Sequence, residues 1–471
     1  MRFGRLLLLC SLLAIVLPAT GQAAVRMYLG FQDDPSFRWR DDRTTVLDTA
    51  ANDVDAQIVR TTVYWSRIAM RRPGNAANPF DSAYQFNDLD ELVRNAEIRG
   101  MQVMLTIWGT PSWANGGKGQ NYAPTRMTDL TNFARALARR YSGLFPGIPY
   151  VRYYTVWNES NLGLFLSPQY DSAGKPVAPF TYAKLYRAAY TGIKLSNPTA
   201  LVGIGETSAR GRDVFLHAQG VQETESPGKF AQLLSTVRPR LKFDAWSQHP
   251  YPTDLTQRPL AAVRWPNVTL AQLPRFEQSL DRWWGRKNIP IWITEYGYQT
   301  KPGQPKGVTP AQQALYAKQA LTAARNDPRV QMFIWFIFRD DPTSSWVSGL
   351  LTQRGVRKPS FAVFANMAKL VDGRNPIITI KGSVSNPVVA VPLLELRTRD
   401  GAGAVVGATA RVYLNGQLVG VSQPQSTIAN GGFASFQLPI VTQSNQTYVA
   451  TLDIGDANGN RAFRTITLVD Q

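Results

Sequence analysis

Short apolar runs recur roughly every thirty to fifty residues through the first three-quarters of the chain, and most are separated by stretches with helical spacing. The runs at 27–31, 56–63, 102–107, 150–157, 201–205, 243–248, 290–294 and 331–338 are almost continuously apolar. That is how strands covered on both faces of a parallel sheet read. Between them, 88–99 places Leu89, Leu92, Val93 and Ala96 on one helical face, and Gly100 stops it. A second helix is expected over 128–141 with Thr128 as its cap, a third from the Thr309-Pro310 pair to Arg325, and a last over 360–371. Eight strands alternating with helices predict an α/β fold, a (β/α)8 TIM barrel over residues 25–375. A doubly wound sheet is the rival, but no glycine-rich dinucleotide fingerprint follows the first strand. After Gly373 the pattern changes to short alternating strands, with an Asn415-Gly416 hairpin turn. Residues 376–471 therefore predict a small all-β, immunoglobulin-like sandwich domain.

The first 24 residues read as a secretory signal peptide. Arg2 and Arg5 precede an apolar run over 6–17, and small residues at Ala19, Gly21, Ala23 and Ala24 offer a cleavage point. The run is too short to span a bilayer, so the expectation is a secreted, extracellular or cell-surface-associated monomer with no membrane insertion after cleavage. Cys10, the single cysteine, lies in that segment, which excludes an internal disulfide framework. Two histidines, His217 and His249, leave little for a metal, so no metal and no cofactor are expected. The net charge is +18, and about +15 of it belongs to residues 25–375. The basic residues are scattered, with Arg outnumbering Lys 38 to 13, which argues against a nucleic-acid partner and fits an overall compositional bias. The same balance leaves an anionic polysaccharide as one expectation for the substrate.

Candidate chemistry sits at strand ends, which in a barrel form the open face. The fourth run ends in Trp157-Asn158-Glu159 and the seventh in Thr294-Glu295-Tyr296-Gly297. A glutamate directly after an apolar strand is costly to bury without a partner. Two of them, on strands four and seven, would face each other across the barrel mouth. Facing carboxyl groups are what glycosidic cleavage uses, one as acid and the other as nucleophile or base.

In these motifs the sequence resembles the retaining glycoside hydrolases of the (β/α)8-barrel clan, and within it families 39 and 5. The strand-three segment Trp108-Gly-Thr-Pro-Ser-Trp113 departs from the His-Asn of family 5. The resemblance spans about residues 25–372. It implies Glu159 as acid/base and Glu295 as nucleophile, with Arg60 as the positive neighbour that keeps Glu295 ionised. Asn158 would hold the sugar 2-hydroxyl, Tyr251 or Tyr296 would hydrogen-bond the nucleophile, and His249 would orient groups near the site. Trp335 on strand eight would offer a flat face to the sugar ring. Trp108 and Trp113 would stack on neighbouring sugars, and Glu206 at the end of strand five would contact sugar hydroxyls. The carbohydrate partner would be a poly- or oligosaccharide, cleaved by double displacement. A transglycosidase on the same scaffold and a non-catalytic glycan-binding barrel are the alternative readings. The C-terminal domain, lacking tryptophan, is expected to pack on the barrel instead of binding sugar.

Overall fold

Each expected run becomes one strand of a closed parallel barrel, ordered β1 to β8 as in the chain. The strands are β1 Tyr28–Gln32, β2 Ile58–Tyr64, β3 Gln102–Trp108, β4 Tyr153–Val156, β5 Leu201–Ser208, β6 Ala245–His249, β7 Ile291–Tyr296 and β8 Val330–Phe336. β8 returns to β1 in register from Tyr28↔Met332 to Gln32↔Phe336. This is the computed structural model of residues 27–371 apart from 217–222 and 345, and, beyond 378, of the C-terminal strands with part of their turns. The expected signal segment with Cys10, and His217, lie outside the described residues. No helix among the described residues is long and apolar enough to cross a membrane.

The outer layer contains α1 Arg43–Asp48, α2 Asn87–Ile98, α3 Met127–Arg140, α4 Ala178–Ser196, α5 Pro227–Ser235, α6 Leu273–Trp284, α7 Pro310–Arg325 and α8 Pro359–Leu370. In α2 the buried apolar residues are Leu89, Leu92, Val93 and Ala96, the face its spacing predicts. Thr309 caps α7 through a reciprocal pair: its hydroxyl accepts from the Gln312 amide at 3.2 Å, and Gln312 accepts from the Thr309 amide at 2.9 Å. Thr128 does not cap α3. That helix begins at Met127, after Arg126, without a side-chain cap.

One apolar cluster fills the barrel interior, from Ile58, Met104, Tyr153, Ala245, Trp292, Met332 and Ile334. A larger one lies between strands and helices. Gly203 makes room for the interior Trp292, whose ring would stand 2.8 Å from an added Cβ. Past the barrel, β9 Thr379–Ser383, β10 Leu393–Arg397 and β13 Phe433–Gln437 form one antiparallel sheet in the order β13-β10-β9. The other sheet, β12-β11-β14-β15, holds β11 Val405–Leu414, β12 Gln417–Val421, β14 Thr447–Asp456 and β15 Arg461–Val469. Asn415 and Gly416, at φ 50° and 79°, turn β11 into β12 as the Asn-Gly pair predicts. The β-region touches the barrel where the Thr451 hydroxyl donates to the Gly143 carbonyl at 2.7 Å.

Candidate active site

Alternation along β2 turns Ile58 and Arg60 into the barrel, Ile58 low in the apolar layer and Arg60 above it. The Arg60 guanidinium is fully buried and each nitrogen is used. Nε donates to Thr106 Oγ1 at 2.9 Å, and Nη1 to Glu295 Oε1 at 2.7 Å. Nη2 donates to Asn158 Oδ1 at 3.1 Å and to Glu206 Oε2 at 2.6 Å. Arg60 thus ties together the ends of β2, β3, β4, β5 and β7. A planar fork of donors that serves four residues at once is what a guanidinium supplies and an ammonium does not.

His249, the last residue of β6, sits on the other side of the same carboxyl groups. Nδ1 is 3.1 Å from Glu159 Oε1 and 3.6 Å from Glu295 Oε2, while Nε2 is 3.0 Å from Glu206 Oε2. Burial by itself would lower this histidine. The charge of Glu295 and the bonds to Glu159 and Glu206 outweigh burial and push it up to about 10. With a carboxyl oxygen beside each ring nitrogen, the protonated ring donates on both sides. For Glu206 burial acts upward, but Arg60, His249 and the Ser247 hydroxyl together bring it down to about 2. Tyr251 donates its hydroxyl to Glu295 Oε2 at 3.2 Å, and burial beside that carboxylate raises the phenol well above its usual value.

The backbone is bent to make this cluster. Trp157, Glu159 and Glu206 have φ of 71°, 36° and 47°, in the left-handed region that side chains avoid. In β7 the pairing with β8 slips between Ile293 and Tyr296, and in β5 the pairing with β6 slips between Gly205 and Thr207. Each slip breaks strict alternation, so Glu295 and Glu206 turn inward where a regular strand would have placed their neighbours.

Glu159, Asn158, Glu295, Arg60, His249 and Tyr251 come together as the resemblance implies. Four other residues sit differently. Trp335 is fully buried on the outer side of β8, since Met332 and Ile334 take the interior positions. It packs edge-on against Phe364 of α8 and donates its indole N–H to the Ser348 carbonyl at 2.8 Å, so it presents no face to a sugar. Tyr296 faces outward past the β7 slip, bonded to the Tyr298 hydroxyl at 3.4 Å and stacked behind Tyr251. Glu206 has both oxygens taken by protein groups and is fully buried, so it anchors the cluster and contacts no sugar. Trp113 bonds the Ala69 carbonyl and lies under the Arg72 guanidinium. Trp108 stays at the mouth on the inner face of β3, next to Tyr64 and Phe165. Sequence reading missed Trp346, which borders the nucleophile side by packing edge-on against Tyr251 and Phe336. Its only sequence signal was that it is a tryptophan in the loop after the eighth strand.

Glu159, His249 and Glu295 each bring one potential ligand atom within 4.8 Å of the others. The three groups also have protein partners, Arg60 at 2.7 Å from Glu295 and His249 Nδ1 at 3.1 Å from Glu159. With His249 protonated, the cluster sets two cations against three carboxyl groups. It is neutral when one of the three carries a proton, which is the state a general acid needs.

Residues 26–413 match the model of a family described as Glycosyl hydrolases family 39. Among solved structures, the chain is similar to a family 39 glycoside hydrolase from the gut symbiont Bacteroides cellulosilyticus WH2, at 17% identity and a TM-score of 0.53, over 89% of this chain and 80% of that one. It is also similar to a glucosidase from Croceicoccus marinus, at 12% identity and 0.54, over 90% and 98%. A monomeric beta-xylosidase from Caulobacter crescentus CB15 matches at 14% and 0.52, over 93% and 98%. At these identities the likeness is one of fold. A comparison with curated proteins found no match.

Proposed function

Because the chain belongs to glycosyl hydrolase family 39, and so is a glycoside hydrolase, we propose that Glu159 and Glu295 cleave an O-glycosidic bond of a poly- or oligosaccharide with retention of configuration. The observation that carries this reading is the spacing of the two carboxyl groups, which have oxygens within 4.8 Å of each other. Retaining enzymes hold the pair about 5–5.5 Å apart, whereas inverting ones leave about 6.5–9.5 Å for a water molecule.

In the first step the Glu159 carboxyl gives its proton to the glycosidic oxygen as the bond from that oxygen to the anomeric carbon breaks. The Glu295 carboxylate attacks the same carbon and forms a glycosyl ester. In the second step the Glu159 carboxylate takes a proton from water, the water oxygen bonds to the anomeric carbon, and Glu295 leaves. Arg60 and the Tyr251 hydroxyl hold the Glu295 oxygens in place throughout. Asn158, its Oδ1 engaged by Arg60, turns its amide N–H groups to the 2-hydroxyl, a contact that strengthens in the transition state. The apolar N-terminal segment supports export, so the glycan would be met outside the cytoplasm.

The test is reducing-end release from a panel of polysaccharides and aryl glycosides, with xylosides and glucosides included, by wild type, Glu159→Ala and Glu295→Ala. Each variant should lose at least about a hundredfold in kcat, and proton NMR should show the retained anomer as the first product. Full activity in Glu295→Ala, or an inverted first product, would sink the reading.

A further inference from the structure

On the β2–β4 side of the barrel mouth, two cations lie on aromatic rings with no carboxylate paired to either among the described residues. Arg67, in the short helix Trp65–Ile68 after β2, places its guanidinium 4.6 Å from the Tyr64 ring centre and 5.4 Å from that of Trp39. Lys118, on the loop after β3, holds its ammonium 5.6 Å from the centre of the Tyr122 ring. The two loops are joined: the Ser66 hydroxyl bonds Gln120 at 3.1 Å and the Ser66 amide bonds the Gly109 carbonyl at 2.9 Å. The nearby carboxylate of Asp88 is committed to Arg38 and to the Trp39 indole.

Tyr64 and Trp108 face the cleft, and Trp39 packs against Tyr64 with ring centres 6.4 Å apart. Tyr64 follows Arg60 and Thr62 on the inner side of β2, and Trp108 is its register partner on β3. Tyr64 lies four residues beyond Arg60, about 13 Å further along the strand, so the patch sits toward the rim and away from the bond being cleaved. Trp39 is 43% exposed, with its indole N–H pinned by Asp88 and the Arg38 guanidinium 5.5 Å from its ring centre beside that of Arg67. A pinned, accessible aromatic face accepts the apolar face of a sugar ring. A guanidinium held over two rings is preorganised, and a planar N–H fork matches a carboxylate or sulfate.

We propose that Trp39, Tyr64, Arg67, Trp108 and Lys118 form a subsite for an anionic sugar unit flanking the cleaved bond. The proposal rests on the reading of the barrel mouth as a glycoside-cleaving site, and gives the basic charge of the barrel a place to act.

Binding is measured by calorimetry on the full chain carrying Glu295→Gln, so that no turnover is needed and a failed catalytic reading shows separately in the hydrolysis assay. The probes are a short oligogalacturonate, a short dextran sulfate and a neutral cello-oligosaccharide. Comparison of the two anionic probes separates carboxylate from sulfate. At least one should bind more tightly than the neutral probe, and Arg67→Ala and Lys118→Ala should each weaken it about three- to tenfold. Arg135→Ala, which removes the same charge from the outer helix α3, should change it by less than about twofold. Equal losses in Arg135→Ala and Arg67→Ala would reduce the effect to net charge and overturn the subsite. Equal binding of neutral and anionic probes, or no binding of either anionic one, would overturn it too.

Discussion

Glu206 is buried, backbone-strained and charged, and each of these is unfavourable alone. It persists because Arg60, His249 and Ser247 place three donors on its two oxygens. Removing the charge from a buried pair leaves the partner uncompensated, typically at about 3–5 kcal/mol. Glu206→Gln should therefore lower unfolding free energy by about 3 kcal/mol, read as a fall in the urea midpoint, and loosen Arg60 and His249 together. A midpoint equal to wild type would show that Glu206 is not the anchor of the cluster. At this scale the sequence was legible for Glu159 and Glu295, because a carboxyl directly after an apolar strand stands out. It was not legible for Glu206 or Trp335. Whether Glu206 meets sugar or protein depends on groups from β2 and β6, and the side of β8 that Trp335 occupies depends on which of its neighbours fill the interior.

Among the elements, strand positions were easy to read because parallel strands are buried on both faces and carry few polar interruptions. The helices with sharp ends, α2 before Gly100 and α7 after Thr309-Pro310, were equally clear. The helices after β4, β5 and β6 gave no comparable signal. α4 buries Tyr182, Ala183, Leu185, Tyr186, Ala189 and Ile193, a face mixing small and aromatic residues with no capping side chain. The α7 cap permits a direct check. Thr309→Ala removes the bond to the Gln312 amide and should cost about 1 kcal/mol of stability, measured by chemical denaturation. Thr128→Ala, at a position that caps nothing, should cost less than half of that. The slips in β5 and β7 are the element-scale features that build the site, and no residue pattern announces them.

Over the whole molecule, buried titrating groups set how stability follows pH. Burial raises Asp33 to about 6 against the backbone N–H groups of Arg339, Ser36 and Phe338. Burial also raises Glu225 and Glu277 to about 8, with Lys229 and Arg329 opposing. The folded state holds these protons more tightly than the unfolded chain, so each group's effect on stability turns unfavourable as pH rises from its ordinary value to its folded one. His249, raised to about 10, acts in the same direction: its stabilisation is complete below its ordinary value of 6.5 and is lost as pH climbs through about 10. Glu206 and Asp42, held down to about 2, stabilise above their ordinary values and lose that contribution as pH falls toward 2. Stability should therefore peak near about pH 4.5 and decline toward pH 10, with Glu225→Gln flattening the fall between 4.5 and 8. Thermal unfolding across pH checks this, and a maximum at or above pH 7 would contradict it.

The sequence alone determined the strand count, the alternation with helices, the change to β structure after Gly373 and the two glutamates at facing strand ends. These follow from local patterns of burial and turn chemistry that each segment carries in itself. The tertiary structure decided the rest: Arg60 as the shared partner of Glu295, Glu206 and Asn158, the displacement of Tyr296 and Trp335 from the site, and the cations stacked at the mouth. Such outcomes depend on register and on contacts between segments far apart in the chain. A slip of one residue turns a side chain from one face of a strand to the other, and only the closed barrel fixes where that slip falls.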